Sequence, residues 1–398
     1  MMQRMEAAPP ELGRLRNVAL IVGIIGAALT ALGAVLDTRQ FFFSYLIGYV
    51  LWTGVAVGSL GLLMVHHVAG GAWTLVIRRI LEAATRTIPL MLVLFIPIAF
   101  GIHQLYEWSH EEAMAANELL QHKAPYLNVS FFLARFAVYF IVWLVLAYLL
   151  NKWSAEQDAQ AETRALEGRM QRISGPGLIL FFLTVTFAVF DLIMSLDPEW
   201  YSTIFGLIMA TAWGMSAFAF AVTIFIYLRQ TEPLRAVVLP AHLHDLGKFM
   251  LMFVMLWSYL SFSQFLLIWS GNLPEEIPWY LRRMSGGWQY VSLGLVLFQF
   301  AFPFLLLLSR DIKRNPRRLV AIALFLLAVR WLDVVWLVAP EAHREEYRSA
   351  FHLHWLDLVA PLGIGGLWIA FFAWQLGRRP LLPRHDTLLE KAFHPAHH

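Results

Sequence analysis

Ten stretches of this chain are each long and apolar enough to cross a bilayer as a helix, and nothing else restricts the fold as tightly. A crossing takes about 20 apolar residues. The runs cover roughly Val18–Leu36, Phe41–Val68, Thr87–Leu105, Val129–Leu150, Gly177–Leu196, Trp200–Leu228, His244–Trp269, Tyr290–Leu308, Leu319–Leu337 and Phe351–Leu376. Lipid offers the backbone no hydrogen-bond partners, so each run must satisfy its own as a helix. Hydrophobic residues make up 59% of the 398 and charged residues 14%, which leaves nothing for a separate soluble domain. The expected fold is an all-α membrane protein, one integral domain over residues 1–398 with about ten transmembrane helices. The one sizeable polar segment, residues 151–176, has strong helix formers and both charge signs, and reads as a surface helix. Met1–Asn17 is polar with three arginines, and no cleavage site follows the first run, so no cleavable leader is expected.

Basic residues set the expected orientation. The two terminal segments and the loops near the ends of the even-numbered runs hold 22 Lys and Arg, against 6 in the other loops. That bias predicts both termini in the cytoplasm. The long outer loops follow runs three and seven, and LYEWSHEE in the first faintly echoes IWSGNLPEEIPWY in the second. The echo suggests two related four-helix units, 41–196 and 200–337, with runs one and ten outside them. Run one is rich in Gly and Ala, which suits close helix packing.

Charged side chains inside these runs are the candidates for function. Asp191 lies about six residues before the turn Asp197-Pro198-Glu199, roughly 9 Å below the surface at ~1.5 Å per residue. A carboxylate there costs about 2.5–3.5 kcal/mol unless it faces protein or water. Sorted by depth, Arg135, Asp191, Ser195, Asp197, Gln264, Arg330, Asp333, His354 and Asp357 fall in the outer half. His66, His67, His242, His244, Asp245 and Lys248 fall near the cytoplasmic face. Few strongly polar groups lie between, as in two proton half-paths entering from opposite sides. Each residue also has a structural reading. Arg330 and Asp333, three apart, can neutralise each other. Arg135 can pair with Asp191 or Asp357. Asp357 suits a first helical turn, and His66 and His67 a last one. His242 and His244 are expected to be wetted at the interface, and Asp245 with Lys248 to form an entrance ion pair. No catalytic residue and no metal ligand is assigned.

The chain has no cysteine, which excludes thiolate-bound iron–sulfur clusters, attached c-type haem and disulfides within it. Two motifs, SLDPEWYSTIFG (Ser195–Gly206) and HDLGKFMLMFVMLWSYLSFSQFLLIWSGNLPEEIPWY (His244–Tyr280), resemble the NrfD-like (polysulfide-reductase) membrane subunits of alternative complex III. That assembly is a bacterial quinol:electron-acceptor oxidoreductase with two such subunits. The resemblance spans most of the chain and agrees with ten helices. Short length and small extramembrane content fit the smaller of the two, also called quinone-binding subunit 2, better than the larger one to which the quinol site is attributed. The resemblance implies a sister NrfD-like subunit, an iron–sulfur subunit, multihaem cytochrome c subunits and small membrane subunits as partners. It implies that iron–sulfur clusters and haems c sit in those partners, that this chain holds no cofactor, and that it helps to conduct protons. The motifs themselves contain Ser195, Asp197, Asp245, Lys248 and Glu275-Glu276, with Asp191 just ahead of the first.

Other readings compete with the proton path. A quinol could bind in this chain itself, with Asp191 and His354 or Asp357 as the proton-accepting cluster. A b-type cytochrome would need two histidines on facing helices, but His66, His67 and His103 all sit near helix ends. A secondary transporter would need helices broken near mid-membrane, and only Pro97 and Pro303 approach that.

Overall fold

The computed structural model describes residues 9–71, 74–160, 164–232, 234–237, 239–342, 351–383 and 385–386. Most of the loop EAHREEYRS and most of the basic C-terminal tail lie outside them. Among the described residues ten helices are long and apolar enough to span a membrane: α1 (Pro10–Leu36), α2 (Thr38–Ala69), α3 (Leu75–Phe100), α4 (Val129–Ala159), α5 (Arg164–Leu196), α6 (Phe205–Leu228), α7 (Pro240–Gly271), α8 (Trp288–Leu308), α9 (Pro316–Ala342) and α10 (Leu356–Leu376). Among the described residues there is no strand. Large apolar side chains such as Ile21, Val35, Phe100 and Tyr259 stand exposed on the outside. Outward-facing hydrophobes on the peripheral helices are a surface for lipid, and the protein is an all-α, multi-pass membrane protein.

Helices α2 and α6 are buried on nearly all sides and form the centre. Around α2 pack α1, α3, α5, α6, α9 and α10. The first and last helices, α1 and α10, share one of the longest contacts. It is made by glycine: a Cβ built on Gly26 would lie 2.5 Å from Gly363 Cα, and one on Gly366 2.3 Å from Gly23 N. Backbones this close gain dispersion contacts that no larger residue would allow.

Several boundaries differ from the sequence expectation, three of them near charged residues. α3 begins at Leu75, not Thr87, so Arg78, Arg79 and Arg86 lie within it and not in a loop. Pro89 cannot donate a helical hydrogen bond, and the ladder breaks before it, where Thr85 and Thr87 hydroxyls bond the carbonyls of Glu82 and Ala84 at 2.8 and 2.6 Å. The polar segment 151–176 is not a separate surface helix, since α4 continues to Ala159 and α5 starts at Arg164. α10 starts at Leu356, after a non-helical stretch from Phe351 to His354. Asp37 forms the tight turn between α1 and α2, its carboxylate accepting from Gln40 N at 2.9 Å.

Candidate functional site

The predicted site residues separate into several clusters. Near the end of α5, Asp191 is fully buried and takes two parallel bonds from Arg135 of α4, Nε–Oδ2 2.9 Å and Nη2–Oδ1 2.8 Å. Tyr139, one turn along α4 from Arg135, adds a third bond at 2.9 Å. The guanidinium also reaches the Tyr126 carbonyl at 2.8 Å and lies 3.8 Å from the Tyr126 ring centroid. Of the two partners open to Arg135, the structure selects Asp191. Ser195 donates to the Asp191 carbonyl at 2.6 Å, a backbone bond one turn on and not a contact with the carboxylate.

Asp357 keeps to itself. Its Oδ1 accepts from Ser44 at 2.6 Å and from Gln40 at 3.0 Å, both on α2, and its Oδ2 from the His354 backbone at 3.0 Å. It is a first-turn carboxylate, as its position suggests. His354 is only half-buried, and its Nδ1 accepts from Leu356 N.

Asp197, in the turn after α5, pairs with Arg282. That arginine and its neighbour Arg283 converge on Glu341 near the end of α9, at 3.6 and 2.9 Å. Arg283 lies 3.6 Å above the Trp279 ring and donates to the Leu337 carbonyl at 2.8 Å. Burial pushes its guanidinium down to about 10, against the pull of Glu341. Arg282, Arg283 and Glu341 were invisible as site residues in the sequence, where they read as loop charges.

Arg330 and Asp333 pair on α9, and Gln299 of α8 donates to Asp333 Oδ2 at 3.2 Å. α9 runs from Pro316 to Ala342, and Arg330 stands just past its midpoint. Gln299 lies in a π-helical turn, Val296–Ala301. Pro303, four residues on, cannot bond the Gln299 carbonyl, and the wider turn absorbs that break. Gln299 Oε1 and Arg330 Nε have no hydrogen-bond partner among the described residues.

Asp333 also lines a cavity of about 700 Å³ between α6, α7, α8 and α9. The walls are mostly apolar and aromatic, including Trp257, Trp279 and Trp336. Gln264 and Tyr280 supply polar groups at one end. Gln264 was among the intramembrane polar residues picked from the sequence; Tyr280 was not singled out.

At the end of the bundle where α1 begins and α10 ends, His66 and His67 close α2. Thr74 bonds His66 Nδ1, and the two imidazoles lie 5.0 Å apart. Beside them is a buried charge cluster the sequence did not expose. Glu82 is completely buried, bonded to Arg78 at 2.9 Å, Arg79 at 2.7 Å and Ser154 at 2.7 Å. Arg78 also pairs with Asp386, and Arg79 with Asp158. The signal was there: Arg78 and Glu82 are four apart on one helix face. His242 corrects another expectation. It is 3% exposed, not wetted, because it folds back to accept from Leu239 N at 3.2 Å as part of the α7 N-cap. His244 is half-buried. Asp245 and Lys248 form the expected pair, 3.1 Å apart and largely exposed.

Among the described residues no three His, Asp or Glu side chains gather as metal ligands. No protein-family model and no curated protein matches the chain.

Proposed function

We propose that this chain is an integral membrane subunit of a bacterial quinol-oxidising electron-transfer complex, resembling the smaller NrfD-like subunit of alternative complex III. In this reading it handles protons, while electrons travel through iron–sulfur clusters and haems c in partner subunits. It sits in the cytoplasmic membrane with both termini inside, among a sister NrfD-like subunit, an iron–sulfur subunit, multihaem cytochromes and small membrane subunits. Helices α2–α5 and α6–α9 form its two related units. The carrying observation is the Arg330–Asp333–Gln299 group, buried midway along α9. Charges at that depth are costly, and a role in moving protons accounts for keeping them. The test is proton translocation per electron in the reconstituted complex with Asp333→Asn. The reading expects a lower ratio at unchanged assembly; an unchanged ratio in an intact complex rejects it.

The cavity beside Asp333 favours a second reading, in which a quinol binds in this chain and gives a proton to that carboxylate. This moves the quinol cluster from Asp191, which is closed by Arg135 and Tyr139, to Asp333. A photoreactive quinone that labels only the sister subunit would reject it.

A further inference from the structure

The cavity between α6 and α9 has one polar end and one open side. At the polar end three side chains form a directional chain. Ser202 Oγ donates to Gln264 Oε1 at 2.7 Å, and Gln264 Nε2 donates to the Tyr280 hydroxyl oxygen at 3.1 Å. The direction is forced, because an amide oxygen only accepts and an amide nitrogen only donates. Tyr280 thus receives a bond on oxygen and keeps its own proton to give. Its side chain is 6% exposed, lines the cavity, and has no acceptor for that proton among the described residues. Successive donors polarise one another, which strengthens the last. The open side lies between α7 and α8, where Tyr259, Phe262 and Leu293 line the cavity and are also exposed on the lipid-facing surface. A ligand therefore enters from the bilayer, not from water.

We propose that this cavity binds a lipid-phase molecule with a carbonyl in its head and an apolar chain, and that Tyr280 is the donor to that carbonyl, set by Ser202 and Gln264. Under the second reading above the carbonyl belongs to a quinone ring; a membrane lipid offers the same chemistry in its ester. The site stands for either source and without any claim on Asp333 or on proton transfer.

The full chain in phospholipid nanodiscs is exposed to two probes, an azidoquinone with an isoprenoid tail and a phosphatidylcholine carrying a diazirine, and labelled peptides are mapped. Tyr280→Phe keeps the ring contacts with Trp279 and Phe265 and removes the hydroxyl, which is both the donor and the acceptor of the Gln264 bond. The expected result is labelling within α7, α8 or residues 277–283 by at least one probe, lowered about fivefold by Tyr280→Phe. Leu293→Trp, at the mouth, is expected to slow the same labelling, whereas Val138→Trp on the lipid-facing side of α4 is not. Loss confined to the quinone probe supports the site with a quinone in it; loss confined to the lipid probe supports it with a lipid and withdraws the second reading. If neither probe reaches the cavity, or Tyr280→Phe changes neither signal, the proposal is overturned.

Discussion

Trp200 and Trp279 lie face to face, their ring centroids 4.3 Å apart and their planes 9° from parallel. One follows α5 and the other opens the short helix Ile277–Arg283 ahead of α8, so the stack joins the two motifs that stand out in the sequence. Trp279 also meets Trp336 of α9 edge-on at 5.2 Å and carries Arg283 on its face. Trp279→Ala is expected to destabilise the fold by about 3–5 kcal/mol, and Trp279→Phe by distinctly less. Unfolding in mixed micelles with increasing dodecyl sulfate measures both.

The Arg135–Asp191 pair lends itself to a double-mutant cycle. Losing one partner leaves a buried charge alone, which costs about 3–5 kcal/mol, while replacing both with apolar residues is often close to neutral. Arg135→Met and Asp191→Leu are each expected to be strongly destabilising, and the double variant to recover most of the loss. Equal losses in the double and the singles would show that the pair is not the interaction holding α4 to α5 there.

Glu82 is a carboxylate shared by Arg78 and Arg79. Glu82→Leu is expected to cost at least about 3 kcal/mol, because two buried guanidinium groups lose the carboxylate they share. Asp245→Ala breaks an exposed pair and is expected to change stability by less than about 1 kcal/mol. Comparing the two variants in the same unfolding assay checks both.

Burial pushes the Tyr280 hydroxyl up to about 12, above its ordinary value of 10.0. The neutral form is therefore favoured in the folded state. Its contribution to stability is complete below pH 10 and is lost as pH rises toward 12. The stability difference between wild type and Tyr280→Phe is expected to be flat from pH 6 to about 9.5 and to shift against wild type above pH 10. A difference that changes near neutral pH would show that another group governs it.

The ten helices were legible because length and apolarity are properties of single segments, which a bilayer reads one at a time. What eluded the sequence depended on partners far along the chain. Arg78 and Arg79 looked like loop charges because two of the three carboxylates that pair with them, Asp158 and Asp386, lie on other segments. The i, i+3 and i, i+4 pairs were predictable; the bond from Arg135 to Asp191, across two helices, could be named only as one of two options. Tyr280 carries no local mark at all, since its unspent proton follows from Ser202 and Gln264.

The glycine seam ties α1, the first of the ten helices to be made, to α10, the last of them. During synthesis α1 must wait, its narrow face meeting lipid or another protein, until the ribosome has delivered Leu356–Leu376 and α10 can close on it. A chain stopped short of Leu356 strands α1 without its mate.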